Sequence, residues 1–300
     1  MKIKPDLYLK GVFMGIAEII PGVSGGTIAF ITGIYEELID SIKSVNSRSL
    51  KLLLTFKFAS FWKAVNGSFL ITLIIGMLTS ILILSRFIVY LIDDHPLKIW
   101  GFFFGLIIAS GILIFYQIQK ISIAGLLSFV IGLTIASYIA LQAPSITPNT
   151  NFFIFLSGAI AISAMILPGI SGSFILVFLS KYEFILKALN SFDTAVISIF
   201  LAGCIVGLVT FSRVFSYLFK KYSDLVVSAL IGFLGGSLFK IWPFYEVLEY
   251  NSSNEPIYTT PILPTTNQSN DLIFFFTFVV IGFISMWVLE KKFIGLNKEI

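Results

Sequence analysis

The hexapeptide PGVSGG at 21–26 returns as PGISGS at 168–173, each copy set inside a long apolar stretch. Proline lacks a backbone N–H and clashes with the preceding turn, and glycine loses the most backbone entropy on ordering, so both stop helices. A helix stopped inside a bilayer leaves bare amides. Such backbone survives only where it is buried in protein or lines a cavity. The bilayer is the relevant solvent, because 57% of residues are hydrophobic, mean hydropathy is +0.97 and only 12% are charged. A soluble domain carries about 25% charged residues. The pattern predicts an all-α polytopic membrane protein, interrupted twice at equivalent places.

Setting Pro21 against Pro168 fixes an offset of 147. At that offset Gly11, Ala17, Gly22, Ser24, Gly25, Ile28, Tyr35 and Glu36 meet Gly158, Ala164, Gly169, Ser171, Gly172, Ile175, Tyr182 and Glu183. Further on the offset becomes 127, where Gly76, Ser85, Arg86, Tyr90, Leu91 and Gly105 meet Gly203, Ser212, Arg213, Tyr217, Leu218 and Gly232. Leu and Ile align with anything apolar; Gly, Ser, Arg and Glu do not. The change of offset marks about 20 extra residues in the first half. They fall in the basic, amphipathic segment 43–67, expected to lie as a surface helix at the headgroups. The chain thus divides into repeats 1–150 and 151–300. The first holds a hairpin at 11–42, the insert and three spans. The second holds a hairpin at 152–190, three spans and an outer loop at 244–271.

Six spans are expected, at about 68–92, 98–118, 121–142, 194–214, 225–243 and 272–289, each near the roughly 20 residues a bilayer core requires. Lysine and arginine favour the cytoplasmic side. Lys2, Lys4 and Lys10 precede the first hairpin and Lys43, Arg48, Lys51, Lys57 and Lys63 follow it, so it enters and leaves from the cytoplasm. Asp93-Asp94 then falls outside, Lys120 inside, the uncharged 143–151 outside and Lys220-Lys221 inside. The 244–271 loop, with four acidic residues and no basic one, falls outside, and Lys291-Lys292 inside. Lys181 and Lys187 on the outer side are the weakest fit, offset by Glu183 and Asp193. The two re-entrant hairpins therefore dip in from opposite faces, as an inverted repeat requires. Both termini are expected in the cytoplasm, and no removable signal peptide is read at the start.

The motif is suited to an anion. After each Pro-Gly the chain resumes as a helix, and helix N-termini present free amides and partial positive charge. Ser24, Gly25, Gly26 and Thr27 in the first copy, and Ser171, Gly172 and Ser173 in the second, supply amides and hydroxyls with little bulk. Tight helix packing alone would also use small residues, though not a proline followed by paired glycines. Arg86 and Arg213 occupy matched positions in apolar runs. A guanidinium there either pairs with phosphate through two parallel bonds or snorkels to headgroups. Glu18 has Met165 as its repeat mate, and this lone carboxylate is the candidate for coupling to a proton or sodium ion. Glu36 and Glu183, symmetric and near helix ends, are expected to be solvated or to serve packing, with gating as the alternative.

Other chemistries fit poorly. A nucleotide loop would end in Gly-Lys-Ser/Thr, which is missing. The lone Cys204 and lone His95 build neither a disulfide framework nor a zinc site, and no metal or other cofactor is expected. A phosphatase would want a nucleophile with a base or metal cluster, so no enzyme is expected. No basic-aromatic patch suits nucleic acid. The sequence leaves the oligomeric state open.

The string MGIAEIIPGVSGGTIAFITGIYEELIDSI (14–42) resembles the hallmark segment of the bacterial polyprenyl-phosphate (undecaprenyl phosphate) transporter family, once classed as a domain of unknown function. The resemblance extends through PGISGS and the spans between. Two departures are mild: the family often has Asp where Glu18 stands, and the second copy ends in Ser173 rather than Gly. The resemblance implies a flippase of the bacterial cytoplasmic membrane. It would return undecaprenyl phosphate to the cytoplasmic leaflet for cell-wall and surface-glycan synthesis. A transporter or channel for a small soluble anion would use the same helix ends, and a non-transporting lipid-binding scaffold is the remaining reading.

Overall fold

Each half begins with an apolar helix that stops after about four turns, because the motif's proline and glycines cannot continue it. The computed structural model describes residues 4–19, 24–116, 118–142, 147–250, 256–264 and 269–293. Pro21, Gly22 and Val23 of the first motif and Glu255 of the outer loop lie outside these residues. The first half comprises α1 (Pro5–Ile19), α2 (Gly25–Ile31), α3 (Tyr35–Lys43), α4 (Ser47–Leu54), α5 (Phe58–Ala64), α6 (Gly67–Asp94), α7 (Pro96–Phe115) and α8 (Ile123–Leu141). The second comprises α9 (Asn151–Ile166), α10 (Gly172–Phe178), α11 (Tyr182–Asn190), α12 (Thr194–Lys221), α13 (Ser223–Ser237), β1 (Tyr245–Tyr250), β2 (Pro256–Pro261) and α14 (Ser269–Phe293).

Among the described residues, five helices are long and apolar enough to cross a membrane: α6, α7, α8, α12 and α14. The sixth expected span, 225–243, is α13 and has only 15 residues. It stops at Ser237, where the poor helix formers Gly235 and Gly236 precede Lys240 and Pro243. The expected all-α polytopic class holds, with one addition in the 244–271 loop, where β1 and β2 pair antiparallel. YEVLEY and IYTT are rich in the aromatic and β-branched residues that favour strands. The 43–67 insert is two short helices rather than one. Asn46 caps α4 in a reciprocal capping box with Ser49, and Phe56 turns the chain at φ +56°. Leu54 and Phe56 stay 78% and 80% exposed, an apolar ridge of the kind that lies in headgroups.

Four helix pairs make the frame: α1 on α6, α9 on α12, α7 on α14 and α8 on α13. Lipid supplies no hydrophobic drive between helices, so small residues must let backbones touch. A β-carbon on Gly11 would stand 2.5 Å from the Leu73 carbonyl oxygen. Its repeat mate Gly158 lies as tightly against the Phe200 carbonyl, and Leu73 and Phe200 are themselves repeat mates. Contacts as well as residues therefore recur at the sequence offsets.

Gly105 approaches the Val279 carbonyl too closely for any side chain, whereas a β-carbon on Gly111, one and a half turns on, would meet only Ile231 at 3.9 Å. Gly105→Val is expected to destabilise the protein by about 2–3 kcal/mol through overpacking. Gly111→Ala should be neutral or raise stability by about 0.5 kcal/mol. Thermal unfolding of both variants in detergent checks the contrast.

Candidate functional site

The residues that resume each broken helix meet at the centre. In the first half, Ser24 is the N-cap of α2, and its Oγ accepts from the Gly26 amide at 3.1 Å. The same hydroxyl donates to the Met165 carbonyl of α9 at 3.1 Å. Thr27 is fully buried, and its Oγ1 accepts the Gly169 amide of the second motif at 2.9 Å. Tyr35, at the start of α3, donates its hydroxyl to the Ile166 carbonyl at 3.1 Å. A β-carbon on Gly26 would stand 2.6 Å from that carbonyl oxygen, so the approach needs glycine. The two motifs thus form one seam, in which side chains of the first half serve backbone groups freed by the second half's break.

Within that seam the copies differ. Glu18 reaches over from α1 and accepts the Gly25 amide at 2.8 Å. Gly26 is capped by Ser24, and Thr27 donates its amide to the Ser24 carbonyl at 2.9 Å. The expected free amides of the first copy are therefore engaged by protein groups in this conformation. The protein supplies its own anion to the N-terminus of α2, and every residue of α2 is buried.

The second copy has Met165 in place of that carboxylate. Leu167, before Pro168, is extended (φ −70°, ψ 130°), as the proline ring demands. Gly169 turns with φ +87°, a left-handed angle that favours glycine. Ser171 then precedes α10 without a side-chain cap bond. Its Oγ instead lies 2.7 Å from the Ser173 Oγ, and Ser173 is exposed. Beside it, the Lys240 ammonium stands 4.4 Å from the centre of the Phe174 ring. Among the described residues Lys240 has no carboxylate partner. The second motif thus carries a Ser171–Ser173 hydroxyl pair and no carboxylate, and the exposed Lys240 lies against the next residue, Phe174. Such a set can donate several hydrogen bonds to a phosphate without a resident counter-ion.

Lys240 escaped the sequence reading because it sits inside the apolar run 225–243. A cation in an expected span was itself the signal. The matched arginines are not brought to the seam. Arg86 and Arg213 are exposed on α6 and α12, and among the described residues neither makes an ion pair. Glu36 and Glu183 are exposed at the starts of α3 and α11. Among the described residues no three His, Cys, Asp or Glu side chains gather as for a metal.

One end of the molecule is latched. Asp40 of α3 pairs with Lys220 of α12 at 2.5 Å and accepts from Ser216 at 2.8 Å, while Lys43 donates to Ser216 at 3.0 Å. Tyr35 seals the contact edge-on against Phe215 at 5.6 Å. At the other end α11 contacts its chain neighbours α10 and α12, without a comparable contact to α6.

With this geometry established, comparison with known proteins places the chain. Residues 14–257 match the family described as undecaprenyl phosphate translocase-like. The chain is similar to the polyprenyl-phosphate transporter of Vibrio cholerae, 45% identical over 252 residues, 83% of this chain and 82% of that one. It is also similar to the polyprenyl-phosphate transporter of Staphylococcus aureus, 34% identical over 257 residues, 78% of this chain and 85% of that one. No solved structure matches it. A match across most of both chains, centred on the motifs that build the seam, makes this protein a member of the undecaprenyl phosphate translocase-like family.

Proposed function

We propose that the protein translocates polyprenyl phosphate, undecaprenyl phosphate in particular, from the outer to the cytoplasmic leaflet of the bacterial cytoplasmic membrane, as a transporter without catalytic chemistry. One observation carries the reading. Two broken helices abut in the apolar interior, the first closed by its own carboxylate, the second without one and with the Ser173 hydroxyl and Lys240 exposed around it. An isoprenoid tail need not leave the hydrocarbon, where each CH₂ contributes about 0.8 kcal/mol. Only the phosphate needs a polar path. Ser171, Gly172, Ser173 and Lys240 hold it. Ser24, Gly25, Gly26 and Thr27 complete the path when Glu18 withdraws, and Glu18 carries the coupling proton or sodium ion. Arg86 and Arg213 meet the phosphate at the protein–lipid boundary.

The halves are inverted repeats with re-entrant hairpins and both termini cytoplasmic, and the site opens to each leaflet in turn. The α3–α12 latch supports this. At the repeat offsets Asp40 corresponds to Lys187 and Lys220 to Asp93, so the same pair recurs with its charges reversed. In the opposite state Lys187 leaves Glu183, now 3.5 Å away, and closes on Asp93.

Three measurements on proteoliposomes with fluorescent polyprenyl phosphate test the proposal. The double variant Ser173→Ala, Lys240→Gln should slow flipping at least tenfold, equivalent to about 1.4 kcal/mol of lost stabilisation. Arg86→Ala with Arg213→Ala should instead raise the lipid concentration for half-maximal rate by a few-fold. Unchanged flipping in both double variants would sink the site. Glu18→Gln keeps the acceptor for Gly25 but removes the charge. It should leave the protein folded and abolish the dependence of flipping on a proton or sodium gradient; a dependence that survives removes Glu18 from coupling. Cysteine pairs 40/220 and 93/187 should each cross-link and arrest transport until reduced. Alternation is wrong if 93/187 never forms.

A further inference from the structure

A continuous apolar groove runs along α7, α8 and α13, away from the seam. Three cavities of about 290, 340 and 430 Å³ make it up. The first and second share Phe115, Phe129 and Ile231, and the second and third share Gly235 and Leu238. The track begins at Lys120 and Ser122, before α8, and ends at Trp242 and Leu263, beside the β-hairpin. From Ser228 to Ser237 it follows about 14 Å of α13 at helical rise, close to half of a bilayer core of about 30 Å, before the turn to Trp242.

Its two ends differ. At the start, Asp224 accepts the backbone amides of Gln119 and Lys120, each at 3.1 Å. That fixes the turn and occupies the nearby carboxylate with backbone donors. The exposed Lys120 ammonium has no carboxylate partner among the described residues. The far end is aromatic. A groove with one cationic mouth and an otherwise apolar wall is complementary to an amphiphile with one anionic head. The wall is also notched: a β-carbon on Gly111 would meet only Ile231, at 3.9 Å, so open space lies above it. A branched chain can fill such a notch, whereas a linear one leaves it void and forfeits dispersion contacts. The groove is tied to the seam, since Gly169 packs 3.0 Å, by a notional β-carbon, from the carbonyl of Phe233, next to groove-lining Leu234.

We infer that this groove is a second lipid site, in which α7, α8 and α13 hold the methyl-branched isoprenoid tail and Lys120 holds the phosphate at the Lys120 end. The inference rests on the proposed transport of polyprenyl phosphate and adds a place where the whole lipid is bound. α13 then serves both parts of the path: one face touches the second motif, and the other lines the tail groove.

The test is photolabelling in phosphatidylethanolamine–phosphatidylglycerol proteoliposomes. The probe is polyprenyl phosphate bearing a diazirine in its tail, with cross-links mapped by mass spectrometry and flipping measured in parallel. Labels are expected in 107–115, 125–129 and 228–238, competed by unlabelled polyprenyl phosphate and not by added phosphatidylglycerol. Gly111→Phe, which fills the notch, should cut labelling and flipping about tenfold while thermal unfolding stays cooperative. Ile231→Trp, from the opposite wall, should do the same and guards against a folding fault in either variant. Lys120→Gln should reduce labelling by the phosphate probe but not by the matching diazirine polyprenol. Labels confined to the lipid faces of other helices, or wild-type flipping and labelling in both groove variants, would overturn the inference and leave the transport proposal standing. Competition by phosphatidylglycerol would make this an ordinary phospholipid groove and also overturn it. Wild-type protein that labels in the groove but moves no lipid would instead defeat the transport proposal and keep the binding site.

Discussion

Three hydrogen bonds cross between the broken helices: Thr27 to the Gly169 amide, Ser24 to the Met165 carbonyl and Tyr35 to the Ile166 carbonyl. Each answers a backbone group that a helix break would leave bare in a medium without water. A buried polar group with no partner costs about 1–3 kcal/mol in protein mutational data, and more in hydrocarbon. The second hairpin's freed backbone is therefore answered from the first half, while the first hairpin is capped by its own Glu18 and Ser24. The glycine-lined pairs α1–α6 and α9–α12 bring the hairpins close enough for these bonds. The seam is thus the reason the frame is built so tightly.

The seam also restricts what the motif can do. The donors of the first copy are consumed by Glu18 and Ser24, so the two copies are alike in backbone and unlike in chemistry. The first is a closed, buried plug. The second keeps an exposed hydroxyl, Ser173, one residue before the Phe174 ring that Lys240 overlies. A phosphate offered to this interior meets donors on one side and a carboxylate on the other. Neutralising or moving that carboxylate is the step that would let the polar path run through both copies.

Much of this was legible in the residues. The two breaks follow from Pro-Gly, the pairing glycines from the offsets 147 and 127, and five of the spans from length and hydropathy. Glu18 stood out because its repeat mate is Met165. Its partner, the Gly25 amide, was not visible, because seven residues and the helix break lie between them. The Thr27–Gly169 bond joins residues 142 apart, a distance at which local pattern is silent. Matched positions showed that Arg86 and Arg213 are equivalent, but a repeat does not say which face of a helix a residue occupies, and both face outward. Lys240 was absorbed into an apolar average, and the same averaging extended α13 past Ser237. The β-hairpin lies in a loop whose acidic charge was read and whose run of aromatic and β-branched residues was not.

The asymmetries matter most. In the proposed cycle the two states exchange the roles of the halves, so contacts that obey the repeat are made equally in both. A ligand or ion shifts a two-state equilibrium only through its difference in affinity for the states. That difference cannot come from Ser24 and Ser171, or from the matched glycines, because each has a counterpart that takes its place. It must come from residues that break the repeat. Among them are Glu18 against Met165, Lys181 against Ile34, Lys240 against Leu113, and the latch positions Asp40 and Lys220 against Lys187 and Asp93. The reversed latch keeps one ion pair available to each state, so closing either end carries a similar electrostatic gain. Direction and coupling then fall first to Glu18, which caps the first motif at the seam and has no charged repeat mate.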